Sequence, residues 1–191
     1  MSGAFPISTA KFGTLGIKSI QNTIISKSVS GKRLVRQIDN QRFAFTVQII
    51  TGTRSSTYGE LMAFIMKQRG QKETFTIIPP EIEDARGNES GTVLVNGVHA
   101  VGDTTIAMDA FGGDGAGRFK AGDFIKFVSH SKVYMVVADV TSSSNAATVT
   151  IEPPLLVALA NDSLVTYDNV PFTVALTTDV QEFGVSGADK D

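Results

Sequence analysis

A chain of 191 residues with 42% apolar content holds one ordinary domain or two small ones with a real core, and the absence of cysteine excludes disulfides, thiolate metal sites and cysteine nucleophiles. No run reaches the roughly 20 apolar residues of a membrane span, and Met1 to Lys11 lacks a signal-peptide block, so a soluble protein made in the cytoplasm, with no membrane anchor, is expected. The net charge of −2 conceals a polarity: Met1 to Phe75 carries eleven Lys or Arg against three Asp or Glu, a balance of +8, and Thr76 to Asp191 carries six against sixteen, a balance of −10.

Ile17 to Lys32 is polar and β-branched, with Gly31 as a turn, and Leu34 to Ile50 follows with an interruption at Asp39-Asn40. Phe43, Phe45 and Val47 alternate with Ala44, Thr46 and Gln48, the period of a half-buried strand. The first 50 residues therefore read as a strand pair or meander, with no long arm-like loop. Ser55-Ser56-Thr57 supplies a cap, and Thr57 with Glu60 has the spacing of a capping box. Leu61, Phe64, Ile65 and Gln68 then fall at helical spacing, Met62 and Met66 widen the stripe, and Gly70 closes a helix of about 57–69. Thr74 to Ile78 reads as a strand halted by Pro79-Pro80.

After an acidic loop, Glu81 to Gly91, short strands are expected at Thr92–Val95, Thr105–Met108, Asp123–Val128, Lys132–Val140 and Ala147–Ile151. Turn residues separate them at the spacing of a small barrel or sandwich. Phe172–Leu176 and Val180–Val185 read as a terminal hairpin, too short to be stable alone. The expected architecture is mainly β with one short α-helix. Residues 1–80 and 165–191 form a β core, and 85–160 form an inserted all-β barrel or sandwich module. Two consecutive domains are the alternative.

Little in the chain points to catalysis. His99 and His130 stand near turns without HxH, HExxH or a carboxylate cluster, and read as surface or turn histidines rather than metal ligands. Gly112 to Arg118 imitates a phosphate loop but lacks the Gly-Lys-Ser/Thr ending and a following helix, so a flexible hairpin tip is expected. No serine stands in a G-x-S-x-G elbow, and Glu81 and Glu83 lie in a loop that nothing sets apart electrostatically. No cofactor is expected. The basic group Lys27, Lys32, Arg33, Arg36 and Arg42 is the candidate interface. Aromatic residues interleave with it poorly, which disfavours nucleic acid as its partner and favours a charged surface between subunits.

The residues laid out above resemble tail proteins of long-tailed bacteriophages. The resemblance runs through Ser28 to Arg33, Gln41 to Val47, Leu61 to Gln71 and the strand Phe75 to Ile78. It continues in the module, at Lys120 to Phe127 and Lys132 to Val136, so that nearly the whole chain is covered. It is strongest toward the distal tail proteins, and it implies a tube-like β-sandwich core with a helix and an outer β module. It also implies a six-fold ring of the chain with itself, contacts with tail tube and baseplate hub proteins, and a place in the virion tail. It transfers no catalytic residue. A receptor- or carbohydrate-binding module, or another tail component such as a tube subunit, is the alternative. A sugar site would draw on Tyr134 and Phe111, and a cell-wall hydrolase lacks an acid/base pair or metal set.

Overall fold

Between Phe12 and Ile49, β-branched and aromatic residues that favour extended backbone form four strands: β1 (Phe12–Ile20), β2 (Thr23–Lys27), β3 (Arg33–Gln37) and β4 (Arg42–Ile49). A computed structural model describes residues 3–6, 12–37, 41–50 and 58–183. Strand β1 pairs antiparallel with β4, ending at Ile20↔Arg42, and β2 pairs antiparallel with β3 from Thr23↔Gln37 to Lys27↔Arg33. The described residues of the segment thus pair as a hairpin ribbon, the strand pair that the sequence offers beside a meander. Its tip is a turn in which Ser28 N–H donates to Lys32 O at 3.0 Å and Ser28 Oγ accepts Lys32 N–H at 3.2 Å. Gly31 takes φ +79° there, where any side chain would be strained. This ribbon, Phe12–Ile49, is one compact unit of the chain, and all other residues belong to a second.

In the second unit the helix is α1 (Gly59–Lys67). The expected cap at Ser55 to Thr57 lies outside the described residues. Leu61 is buried, and Phe64 meets Phe5 and Phe75 edge-on at ring distances of 5.5 and 5.2 Å. Gln68, also on this stripe, is fully buried and donates its side-chain N–H to Phe64 O at 2.9 Å. Arg69 and Gly70 close the helix at φ 55° and 69°. A Cβ on Gly70 would stand 2.6 Å from Asp179 Oδ1, the oxygen that accepts Gln71 N–H.

Strand β5 (Thr74–Ile77) ends just before the two prolines, as proline's missing N–H requires. Eight strands follow: β6 (Leu94–Val95), β7 (Thr105–Asp109), β8 (Gly115–Ala116), β9 (Phe124–Phe127), β10 (Val133–Val136), β11 (Thr141–Ser142), β12 (Ala147–Glu152) and β13 (Val165–Thr166). Six of them form a sheet in the order β13-β9-β10-β12-β7-β6. Its two ends meet: Leu94 bridges Leu164, Val95 N–H donates to Ser163 O, and Val165 N–H donates to Val93 O, both at 3.0 Å. The sheet is a nearly closed barrel. It encloses a cluster that includes Ile106, Met108, Phe119, Ile125, Phe127, Tyr134, Val149, Ile151 and Tyr167. The single strand expected at Lys132–Val140 is broken after Val136, and the β11 that follows pairs with β8 instead.

The last strand, β14 (Phe172–Ala175), pairs antiparallel with β5, from Phe172↔Ile77 to Ala175↔Thr74. The expected terminal hairpin does not form: residues 180–183 are not in a strand, and 184–185 lie outside the described residues. Residues Gly3 to Phe5 join this small sheet by a parallel bridge, Ala4↔Thr76. Phe172 packs against Phe124 of the barrel at 5.4 Å.

Two outcomes follow from this packing. Leu61→Ala should lower stability by about 2–5 kcal/mol in a denaturant melt, and a loss near zero would remove the helix from the core. A fragment of residues 82–170 contains the whole barrel cluster and should melt cooperatively with dispersed amide resonances. One cut at residue 160 lacks Val165 and Tyr167 and should melt at lower temperature.

Candidate assembly surface

The ribbon's four strands include many apolar residues, yet Gln41 is the one buried residue among those described between 12 and 49, its side chain donating to Ser19 Oγ at 2.9 Å. Phe45 and Val47 are half-buried, with Thr46 and Gln48 exposed, so the predicted alternation holds from Phe45 on; Phe43 and Ala44 are both half-buried. Every residue of β2 and β3 is exposed. Ile24, Ile25, Leu34 and Val35 stand 52%, 49%, 56% and 55% open. Directly paired residues share a face, so Ile25, Val35, Lys27 and Arg33 share one face, and Ile24, Leu34 and Arg36 share the other. Each face is an apolar pair next to cations.

The structure brings Lys27, Lys32 and Arg33 together at the ribbon tip, with Lys27 directly opposite Arg33. Arg36 lies on the reverse face opposite Ile24, and Arg42 stands at the start of β4 opposite Ile20. Like charges placed directly across a strand pair repel. From Phe12 to Ile49 the sequence has six Lys or Arg against one Asp, a balance of +5. Among the described residues no carboxylate forms an ion pair with Lys27, Lys32, Arg33 or Arg36. The barrel sheet nearly closes on itself, whereas among the described residues each ribbon strand pairs with one other strand. Exposed edges of this kind template pairing with another chain.

The other sequence candidates are drawn inward. Gly112 to Arg118 is pinned rather than a loose tip: Gly115 and Ala116 form β8, and Ser142 Oγ donates to Gly113 O at 2.7 Å. Asp114 accepts the amide N–H of Asn145 at 2.6 Å and of Ser144 at 2.9 Å, which holds its carboxyl below the usual range. Glu89, with no side-chain exposure, accepts Gly91 and Gly112 N–H, both at 2.6 Å, and lies 3.8 Å from Arg118. Tyr134 and Phe111, the aromatics a sugar site would need, are both buried. Among the described residues no group of three or more carboxylate or imidazole side chains is placed to hold a metal.

Residues 82–170 match the family model for the B domain of the distal tail protein pb9. Over that stretch, just under half of its length, the chain is similar to a phage distal tail protein. A search of curated proteins found no match. The matched stretch is the barrel with its entry and exit, and the ribbon lies outside it.

Sequence reasoning found the basic residues but not the two-faced apolar ribbon that carries them. The signal was present as Ile24-Ile25 and Leu34-Val35, adjacent apolar pairs that put one residue on each face of a strand. It also misplaced His130, which stands in a turn but is 4% exposed. Because Ile25 and Val35 are open in the protomer, Ile25→Ser with Val35→Ser should change the protomer's melting free energy by no more than about 0.5 kcal/mol. The same pair should lower binding of an apolar dye, as loss of an exposed patch requires. A large loss of stability would mean that the ribbon is covered within one chain.

Proposed function

We propose that this chain is a distal tail protein, a structural, non-enzymatic subunit that forms a six-fold ring joining the tail tube to the baseplate hub. In this reading residues 1–80 and 165–191 form the tube-like body, 85–160 form the inserted module, and the Lys27 to Arg42 region makes contacts with the next copy. The observation that carries it is the ribbon: apolar on both faces, exposed throughout β2 and β3, and positively charged. A two-stranded ribbon alone is marginal in water, and a partner that covers it supplies what the protomer lacks. The acidic balance of Thr76 to Asp191 makes a second copy a chemically matched partner.

A head-to-tail contact that closes by rotation gives a ring, whereas a self-complementary one stops at a dimer. Exposed charge pairs contribute only about 0–1 kcal/mol each, so strand edges and the exposed Ile and Val pairs supply most of the affinity and charge sets orientation. Sedimentation velocity across a salt series, with negative-stain images of the sedimenting species, tests this. Rings that weaken modestly with salt are expected. Reversing Lys32 and Arg33 to Glu should weaken them more than reversing Lys72 and Lys120, two exposed lysines outside the ribbon. A protein that stays monomeric at high concentration and low salt, or an oligomer indifferent to the Lys32/Arg33 reversal, would sink the charge-oriented contact.

A further inference from the structure

The two histidines of the sequence, His99 and His130, both brace one segment at the barrel rim, residues 155–159. His99 and Leu159 exchange two backbone hydrogen bonds, at 3.1 and 2.9 Å. His130 reaches the segment through Tyr134: His130 Nδ1 lies 2.9 Å from Tyr134 Oη, and Oη accepts Leu156 N–H at 3.3 Å. Tyr134 is fully buried, and His130 Nε2, also buried, has no hydrogen-bond partner of normal geometry. The imidazole is closed in by Phe127 at a ring distance of 5.6 Å.

Counting hydrogens shows what protonation does here. In the neutral state Tyr134 Oη accepts from Leu156 and donates its single hydrogen to Nδ1, leaving the imidazole hydrogen on Nε2. A second proton on the ring must sit on Nδ1, which then donates to Oη. The tyrosine hydrogen loses its acceptor, and a full charge is confined in a buried site. Both carry a free-energy cost.

We infer that His130 is an acid-sensitive latch on the 155–159 segment, engaged through Tyr134 when neutral and released when protonated. The inference goes beyond the ring reading and does not depend on it. Burial holds the His130 pKa below its ordinary value, with the Ala158 carbonyl opposing in part. With the folded value below the unfolded one of about 6.5, the stabilisation is complete above that pH and is lost as pH falls below it toward the folded value.

The neighbouring groups reinforce this sense. Tyr134 on β10 is neutral, and burial pushes its hydroxyl pKa up. Lys132 lies two residues along the chain from His130, and burial holds its own pKa down. Phe127 on β9 and the segment Leu155 to Leu159 bring no titratable side chain. On the far side of the segment His99 Nδ1 stands 3.7 Å from Asp103, and its Nε2 accepts Ala107 N–H at 3.2 Å. A carboxylate therefore stands beside His99, whereas among the described residues none forms an ion pair with His130. The latch governs an apolar rim, since Val157 on the segment and Val98 and Val101 on the turn paired with it are all exposed.

Amide hydrogen exchange on the whole protein at about pH 7.5 and about pH 5, either side of the histidine range, tests the latch. After correction for intrinsic rates, exchange at Leu156 and Leu159 should rise severalfold at the lower pH while Val149 and Ile106 in the barrel wall stay unchanged. His130→Gln should abolish the rise and His99→Gln should retain it. No rise in the wild type, or an equal rise in His130→Gln, overturns the inference. Should His130→Gln not fold, resonance titration of the wild-type imidazoles decides: loss of Leu156 protection while His130 is still neutral overturns it.

Discussion

Backbone hydrogen bonds between Val93–Val95 and Ser163–Val165 convert a six-stranded sheet into a barrel, and much of the second unit depends on that closure. An open six-stranded sheet has two edges that need covering; a closed one has none, and its inward side chains share one interior. Ile106, Met108, Ile125, Phe127, Val149 and Ile151 are essentially without exposure there, each contributing about 1.5–3 kcal/mol of transfer free energy against the entropy of ordering. Closure also fixes where the chain enters and leaves. Ala85 N–H donates to Tyr167 O and Val170 N–H to Glu83 O, so the two ends of the module run side by side. The strands that flank it, β5 and β14, then need no long connection to pair.

The ribbon solves the same edge problem in another way, or leaves it for another molecule to solve. Its residues are as β-prone as those of the barrel, but a single hairpin has only two faces and no interior. Cross-strand pairs such as Ile25↔Val35 contribute about 0.2–1 kcal/mol, against about 1–2 kcal/mol of backbone entropy for every residue fixed. The Lys27↔Arg33 pair makes the tip worse for the protomer. Features that weaken an isolated protomer, here exposed aliphatics and opposed cations, acquire a physical reason once an apolar, acidic partner surface covers them.

Much of this was legible in the sequence, and the boundary of legibility is physical. The strands at Thr105–Asp109, Phe124–Phe127 and Ala147–Glu152 were readable because apolar alternation and turn residues are local signals. So were the stripe of Leu61, Phe64 and Gln68 and the left-handed Gly70. The β14–β5 pairing was not, because it joins strands across the whole module and no local pattern specifies a distant partner; Phe172–Leu176 was instead paired with its neighbour in sequence. Lys132–Val140 read as one strand because its composition is continuous, although β10 ends at Val136 and the chain turns to another sheet. The basic residues of the candidate surface were visible as charges. That they stand on an uncovered ribbon was not, since an exposed and a buried strand of Ile and Val read alike.

The barrel's polar interior follows a different rule from its apolar one. Apolar packing tolerates small displacements, but a buried polar group must find its partners in number as well as in kind. Glu89 meets this count at one oxygen only, Oε1 accepting two backbone amides while Oε2 has no hydrogen-bond partner, and the glycines around it allow close approach: a Cβ on Gly91 would stand 2.4 Å from Gly112 N, and one on Gly87 would stand 1.9 Å from Arg118 O. Buried charges of this sort are weak evidence for stability; what Glu89 and Arg118 do geometrically is hold the loops at 86–91 and 112–118 in one arrangement. At His130 the Nδ1 pairing with Tyr134 suits only the neutral ring. A network of fixed hydrogen number is a rigid clamp while the number holds and fails at a definite place when a proton is added, which is why the pH-sensitive element sits in the polar pairing of His130 with Tyr134 and not in the aliphatic core around it.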